Sequence, residues 1–173
     1  MGKTSLMKRF VLDKFFPQYR TTIGSDFSTK DILIDDKAVS LQVILLYSHF
    51  QVWDTAGQER YQSLGVAFYK GAECCVLVYD ITKAKSFQSL TNWKSEFLRQ
   101  AAPKNEESFP FILIGNKADQ EHDRKVATST AKVWCEKNGN IPYYEASAKD
   151  QTNVKEAFEE AAKLSLKNHA YMT

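Results

Sequence analysis

Residues 111–119 read FILIGNKAD. Four apolar residues run without a break, Gly115 follows, and then the chain turns polar at Asn116, Lys117 and Asp119. A strand with one wet face alternates polar and apolar side chains, whereas an unbroken apolar run suits a strand covered on both faces, as in a parallel sheet flanked by helices. In such folds ligands bind just beyond the carboxyl ends of the strands. The polar stretch after Gly115 is therefore the first place to look for chemistry.

Working outward, the same layout recurs. Strand candidates are 31–35, 39–53, 74–80, 111–115 and 143–146. Between them lie helical patterns. Residues 4–13 carry Leu6, Met7, Phe10 and Val11 on one side, and 84–101 carry a stripe of Phe87, Leu90, Trp93 and Phe97. A third helix covers 126–138, closed by Gly139. A fourth covers 153–167, where Asn153 caps the start and Glu156 sits at the capping-box position. Strands alternating with helices define a three-layer α/β fold with a mainly parallel sheet.

The chain has 173 residues, no internal repeat and no linker rich in Gly, Pro or Ser, so a single domain over 1–173 is expected. With 43% hydrophobic and 25% charged residues it has material for a core and is not of the disordered class. Charge is nearly balanced, 23 basic against 21 acidic residues, and gives no reason to expect a nucleic-acid partner. The longest apolar run, Val43 to Tyr47, is far too short to span a bilayer. Met1-Gly2-Lys3-Thr4-Ser5 has no secretory character, so a cytoplasmic location is expected. Cys74, Cys75 and Cys135 read as buried free thiols rather than a disulfide framework or metal site.

The stretches that follow the strands carry the chemistry. DTAGQE (54–59) begins with a carboxylate at a strand end, which suits Mg²⁺, and Gly57 permits a close backbone approach to a phosphate. Asp119 of NKAD can accept two hydrogen bonds from N1 and N2 of guanine, a donor pair that adenine lacks. Ser147-Ala148-Lys149 is a small-residue loop whose N–H groups reach toward guanine O6. Gly2-Lys3-Thr4-Ser5, opening a helix, is the last part of a phosphate-binding loop, with Lys3 for the β- and γ-phosphates and Thr4 for Mg²⁺.

Taken in order, GKT, Thr22, DTAGQ, NKAD and SAK resemble the Ras-like small GTPases and, within them, the Rab family. DTAGQERYQSLGVAFY (54–69) and CCVLVYD (74–80) resemble the late-endosomal and vacuolar Rab-seven branch, and the resemblance covers nearly the whole chain. It implies a three-layer P-loop NTPase fold and a GTP/GDP-binding switch that hydrolyses GTP and regulates vesicle traffic to late endosomes and lysosomes or the vacuole. It implies Mg²⁺ held by Thr4, by Thr22 and, through water, by Asp54. Gly57 would sense the γ-phosphate, and Gln58 would position the attacking water as the catalytic residue. Phe15 would pack against the guanine, Lys117 would lie across it, Asn116 would tie loops together, and Asp119, Ser147, Ala148 and Lys149 would serve the base. Phe27, Trp53 and Phe68 match the aromatic triad shown to effectors. An exchange factor is implied as well, and a GTPase-activating protein to supply an arginine finger in trans.

Three departures from the family pattern carry expectations of their own. The chain begins inside the phosphate loop, which implies a sheet lacking its first, central strand. Nine residues, VILLYSHFQ (43–51), intervene before VWDTAG. Nine is odd, so a straight strand would put everything upstream on the wrong face and displace it by roughly 30 Å; the segment must loop out or re-register. Removing it restores SLQVWDTAG, and its Val and Gln ends permit GT…AG boundaries, so it reads as a retained short intron or splice product. The last residues, NHAYMT (168–173), hold no prenylation cysteine, so no lipid anchor is expected here, whereas relatives would sit on the cytosolic face of those membranes. The alternative to a switch is a nucleotide-free fragment or splice isoform acting only as a protein-binding module. A nucleotide kinase is disfavoured, because NKAD and SAK select guanine.

Overall fold

The computed structural model describes residues 1–17, 25–32, 48–55 and 69–172. Strands β3 (Cys75–Asp80), β4 (Phe111–Asn116) and β5 (Tyr143–Ala146) form a parallel sheet with β4 in the middle. Every residue of β4 is buried, the physical reason for its unbroken apolar run.

Alternate side chains leave the sheet on opposite faces. Val78, Ile112 and Ile114 pack with Leu6 and Phe10 of α1 (Lys3–Leu12) and with Phe158 of α5 (Val154–Met172). Phe10 and Phe158 stack at 4.6 Å. Leu77, Tyr79 and Leu113 face the other way, against Leu90 and Phe97 of α3 (Leu90–Ala101) and Ala131 of α4 (Thr128–Lys137). The expected three layers are present.

β1 (Ser25–Ile32) and β2 (Ser48–Thr55) form a separate antiparallel pair, in register from Ser25↔Thr55 to Ile32↔Ser48. Among the described residues no backbone ladder joins the two sheets. Val52 of β2 packs against the core that contains Leu6 and Val78.

Several boundaries differ from expectation. The strand expected at 31–35 begins at Ser25 instead, and the one expected at 39–53 is described only from Ser48. The last four residues of VILLYSHFQ, 48–51, lie within β2 opposite 29–32, so the segment does not loop out as a whole. Residues 43–47 lie outside the described residues. The helix expected over 84–101 is interrupted at Ser89 between α2 (Ala84–Gln88) and α3. There the Ser89 hydroxyl donates to the Lys85 carbonyl at 2.9 Å, a local bond that competes with the helix ladder.

α4 ends as expected, with Gly139 in the left-handed region at φ 96. Asn153 accepts the Ala157 N–H on its carbonyl and so opens α5, but the anticipated capping geometry is changed. Its φ is +52, and its side-chain amide donates to the Glu145 carbonyl at 2.7 Å. Of the cysteines, only Cys135 is fully buried; Cys74 and Cys75 are half-buried, all three are free thiols, and burial pushes the Cys74 thiol up to about 12.

Gly115 is held to glycine by a neighbour. A Cβ there would lie 2.8 Å from the Tyr79 phenol oxygen and 2.9 Å from its ring, and Tyr79 is fully buried with nowhere to move. Gly115→Ala should cost about 1–3 kcal/mol, the usual range for overpacking a core. Thermal unfolding followed by circular dichroism should show a midpoint several degrees below wild type; an unchanged midpoint would contradict this packing.

Candidate functional site

The start of α1 stands at the ends of β2 and β4. Gly2, just ahead of the helix, has φ +84, and a Cβ on it would lie 2.5 Å from the Asn116 amide nitrogen. Both facts restrict this position to glycine. Lys3 and Thr4 begin the helix, and Ser5 lies in its first turn.

Thr4 donates its hydroxyl to the Asp54 carboxylate at 2.5 Å, joining α1 to the end of β2. Asp54 is buried. Burial lowers the Lys3 ammonium from its ordinary pKa, and the nearby Asp54 charge opposes that shift. A hydroxyl and a carboxylate oxygen brought together are the hard donors that Mg²⁺ takes, so this pair fits the metal implied by the sequence.

Asn116, at the end of β4, is the junction of the site. Its Nδ2 donates to the Met1 carbonyl at 2.9 Å, and its Oδ1 accepts the Ala148 N–H at 3.3 Å. It therefore joins the residue ahead of α1 to the loop after β5. The Ala148 N–H, expected to face guanine O6, is engaged with Asn116 instead.

Lys117 follows with φ +71, left-handed for a residue with a Cβ. Asp119 accepts the Ser147 hydroxyl at 2.7 Å, and Ser147 is buried. The Asp119 carboxylate and the Ser147–Lys149 loop are thus coupled directly. Phe15 is half-buried against the α1–α5 core.

Four further residues were not singled out by the sequence motifs. Arg9 of α1 donates Nε to the Ala148 carbonyl at 2.8 Å and a terminal nitrogen to the Lys149 carbonyl at 3.0 Å. It clamps the SAK loop to the helix, and no spacing rule points to it. Asp80, fully buried at the end of β3, pairs with Lys117 at 2.8 Å. The strand-end rule that found Asp54 would have found it too.

Glu145 and Arg124 form the third anchor. Glu145, on β5, accepts from Arg124 at 2.7 and 2.9 Å, from Thr128 at 2.7 Å and from the Tyr143 phenol at 2.6 Å. Burial pushes its carboxyl up, but these donors outweigh that and hold it below the ordinary value.

Thr22, Gly57, Gln58 and Phe68 lie outside the described residues. Phe27 and Trp53 are direct partners in the β1–β2 register.

A strand-end site joining a phosphate-loop helix start, an NKAD loop and a SAK loop defines a guanine-nucleotide-binding P-loop protein. The Ras family model matches residues 1–167, and the chain belongs to that family. It is 56% identical over 169 residues to the Ypt/Rab-type GTPase ypt7 of Schizosaccharomyces pombe, covering 97% of this chain and 78% of that one. It is 55% identical over 163 residues to the Ras-related protein Rab-7a of Paramecium octaurelia, covering 94% and 75%. A third relative, the Ras-related protein RABG3f of Arabidopsis thaliana, is 55% identical over 170 residues, covering 97% and 78%. Within the family this is a small GTPase of the Rab-seven branch, a hydrolase by class and a Rab-type switch in membrane traffic. Among the described residues no helix is long and apolar enough to cross a membrane.

Glu145→Gln should destabilise the protein by about 1.5–3 kcal/mol at neutral pH, the range for hydrogen bonds to charged groups. The folded carboxyl is depressed, so its stabilisation is complete above the ordinary value of 4.5 and lost as pH falls through the folded value. Urea unfolding at pH 7 and pH 3 should show a gap between variant and wild type that narrows in acid. A gap that widens in acid would reverse the sign.

Proposed function

We propose that the chain binds GTP and GDP, hydrolyses GTP, and acts as a switch for traffic to late endosomes and lysosomes or the vacuole. One observation carries the reading: the start of α1 is bonded to the ends of both β2 and β4, through Thr4–Asp54 and Asn116–Met1. Those bonds bring Thr4 to Asp54 and the residue ahead of α1 to the NKAD loop, which supports a reading of the helix start as a phosphate loop and of NKAD as a guanine loop. The similarity to a Ypt/Rab-type GTPase and to a Rab-7a protein supports the same reading.

In this reading Lys3 and the first N–H groups of α1 take the phosphates, the helix terminus favouring an anion. Thr4, Asp54 and Thr22 hold Mg²⁺, which when bound offsets the phosphate charge. Lys3 is already partly desolvated, so its charge acts on phosphate with little water to displace. Asp119 reads the base edge, its other partner Ser147 fixing its orientation. Lys117 and Phe15 flank the base, and the Ser147–Lys149 loop closes its rim. Gly57 and Gln58 serve the γ-phosphate and the attacking water. Hydrolysis is slow unless an activating protein adds an arginine.

Loss of the γ-phosphate would release the loops carrying Thr22 and Gly57. Phe27 and Trp53, paired across β1 and β2, would form with Phe68 the surface read by effectors.

The test is to purify the chain, denature it and quantify the released nucleotide by chromatography. Near-stoichiometric guanine nucleotide is expected. Asp119→Ala removes two charge-assisted hydrogen bonds to the base and should weaken GDP binding by on the order of 100-fold or more. Chelation of Mg²⁺ should speed GDP release. A folded chain free of guanine nucleotide, and unable to load it, would leave the protein-binding module as the better account.

A further inference from the structure

Asp80 carries a charge in a place where charge is costly. Its side chain is 0% exposed, at the last residue of β3 and opposite Asn116 in the β3–β4 register. One carboxylate oxygen accepts the Thr82 N–H at 3.0 Å and the Thr82 hydroxyl at 2.6 Å. The other meets the Lys117 ammonium at 2.8 Å.

Fold stability alone explains this pair poorly. Apolar residues of similar volume often serve as well as a buried ion pair, or better. Lys117 itself sits in a strained backbone conformation, at φ +71, and its side chain is 34% exposed while its partner is sealed off. The lysine stem therefore runs from the NKAD loop across an open edge of the site to a buried anchor.

We infer that Asp80 is a positioning residue for guanine-nucleotide binding, holding the Lys117 ammonium so that the lysine stem is already laid out where the base docks. The inference rests on the nucleotide-binding reading above and extends it to a residue outside the GKT, DTAGQ, NKAD and SAK motifs. Its physical basis is entropic. A free lysine side chain gives up rotamer freedom when immobilised. Held by Asp80 before the ligand arrives, it surrenders that freedom on folding rather than on binding. Thr82 and the Asx-type turn it forms fix the carboxylate so that the anchor does not move. Thr82 thereby acts on the base site at one further remove.

The experiment uses the full chain and a fluorescent GDP analogue. Dissociation is measured for wild type, Asp80→Asn, Lys117→Met and the double variant. Asp80→Asn should release the nucleotide about tenfold faster. Lys117→Met should also speed release, and adding Asp80→Asn to it should change the rate by less than twofold, because the anchor then has nothing to hold. A merely structural role would speed release by the same factor in both backgrounds, and that result overturns the inference, as does an unchanged rate in Asp80→Asn.

Should Asp80→Asn not fold, wild type stripped of nucleotide supplies a second measurement. Acylation of individual lysines, read by mass spectrometry, should find Lys117 at least several-fold slower than the exposed Lys83 and Lys85. Equal reactivity would mean the ammonium is not held in advance, and the inference fails. A wild-type chain that never loads guanine nucleotide overturns the parent reading and this one together. Normal loading with additive variants overturns this one alone.

Discussion

One side-chain amide holds the site together. Asn116 is 2% exposed, and its two polar ends face opposite ways: the nitrogen to the Met1 carbonyl, the oxygen to the Ala148 N–H. A carbonyl and an N–H as partners admit only one orientation of the amide, so the group acts as a directional bolt. Through it the residue ahead of α1, the end of β4 and the loop after β5 become one unit. Truncating it would leave buried backbone groups on two separate segments unpaired, each at about 1–3 kcal/mol. Its backbone takes part as well, since the Asn116 carbonyl accepts the Ile81 N–H at 3.1 Å and draws in the end of β3. Gly2 follows from the same constraint, because a Cβ at that position would lie 2.5 Å from the amide nitrogen.

Around the bolt lie three acidic residues at strand ends, Asp54, Asp80 and Glu145, and each is paired by a different partner. Asp54 takes Thr4 from α1, Asp80 takes Lys117 and Thr82 from loops, and Glu145 takes Arg124 and Thr128 from the segment entering α4. Asp54 and Asp80 are buried and Glu145 is half-buried, and carboxylates withdrawn from water must be compensated by charge or hydrogen bonds. The parallel sheet delivers Asp80 and Glu145 to one edge, because β3, β4 and β5 all end on the same side, while Asp54 is brought in from β2 by its bond to Thr4. Polar residues the core excludes are thus collected where a charged ligand is to be met. The compensating groups also fix the loops: Arg124 binds Glu145 while the Glu145 carbonyl takes Asn153, which opens α5.

Much of the fold was readable because β4 and β5 are punctuated sharply. FILIG ends at Asn116 and YYEA at Ser147, so strand ends and site loops were visible together in one line of sequence. The motifs located Thr4 with Asp54 and Ser147 with Asp119, and the structure brings both pairs into hydrogen-bond distance. Less legible were contacts that depend on tertiary geometry alone. Arg9 reaches the Ala148 and Lys149 carbonyls across 139 and 140 residues, and nothing in its neighbours announces it. The Ser89 break was hidden because a serine inside an apolar stripe does not disturb the period, yet its hydroxyl takes a helix carbonyl. Asn153 was assigned a capping role from its type, but the Glu145 carbonyl competes for its amide.

The nine-residue segment ahead of VWDTAG raises the sharpest conflict between pattern and structure, and its resolution shows what sets register here. A one-residue slip exchanges the faces of a strand, so an odd insertion cannot simply be threaded into β2 from upstream. The strand is fixed from its other end. Asp54 is tied to Thr4, Val52 is packed into the α1–α5 core, and Trp53 stands opposite Phe27. Those three positions leave the residues before them no choice of face. Ser48 to Gln51 then extend the ladder backward against Thr29 to Ile32, at positions that VSLQ (39–42) would fill if the insert were absent. Register in β2 is therefore set at its functional end, because the contacts that pin the strand are the same ones that build the Thr4–Asp54 junction.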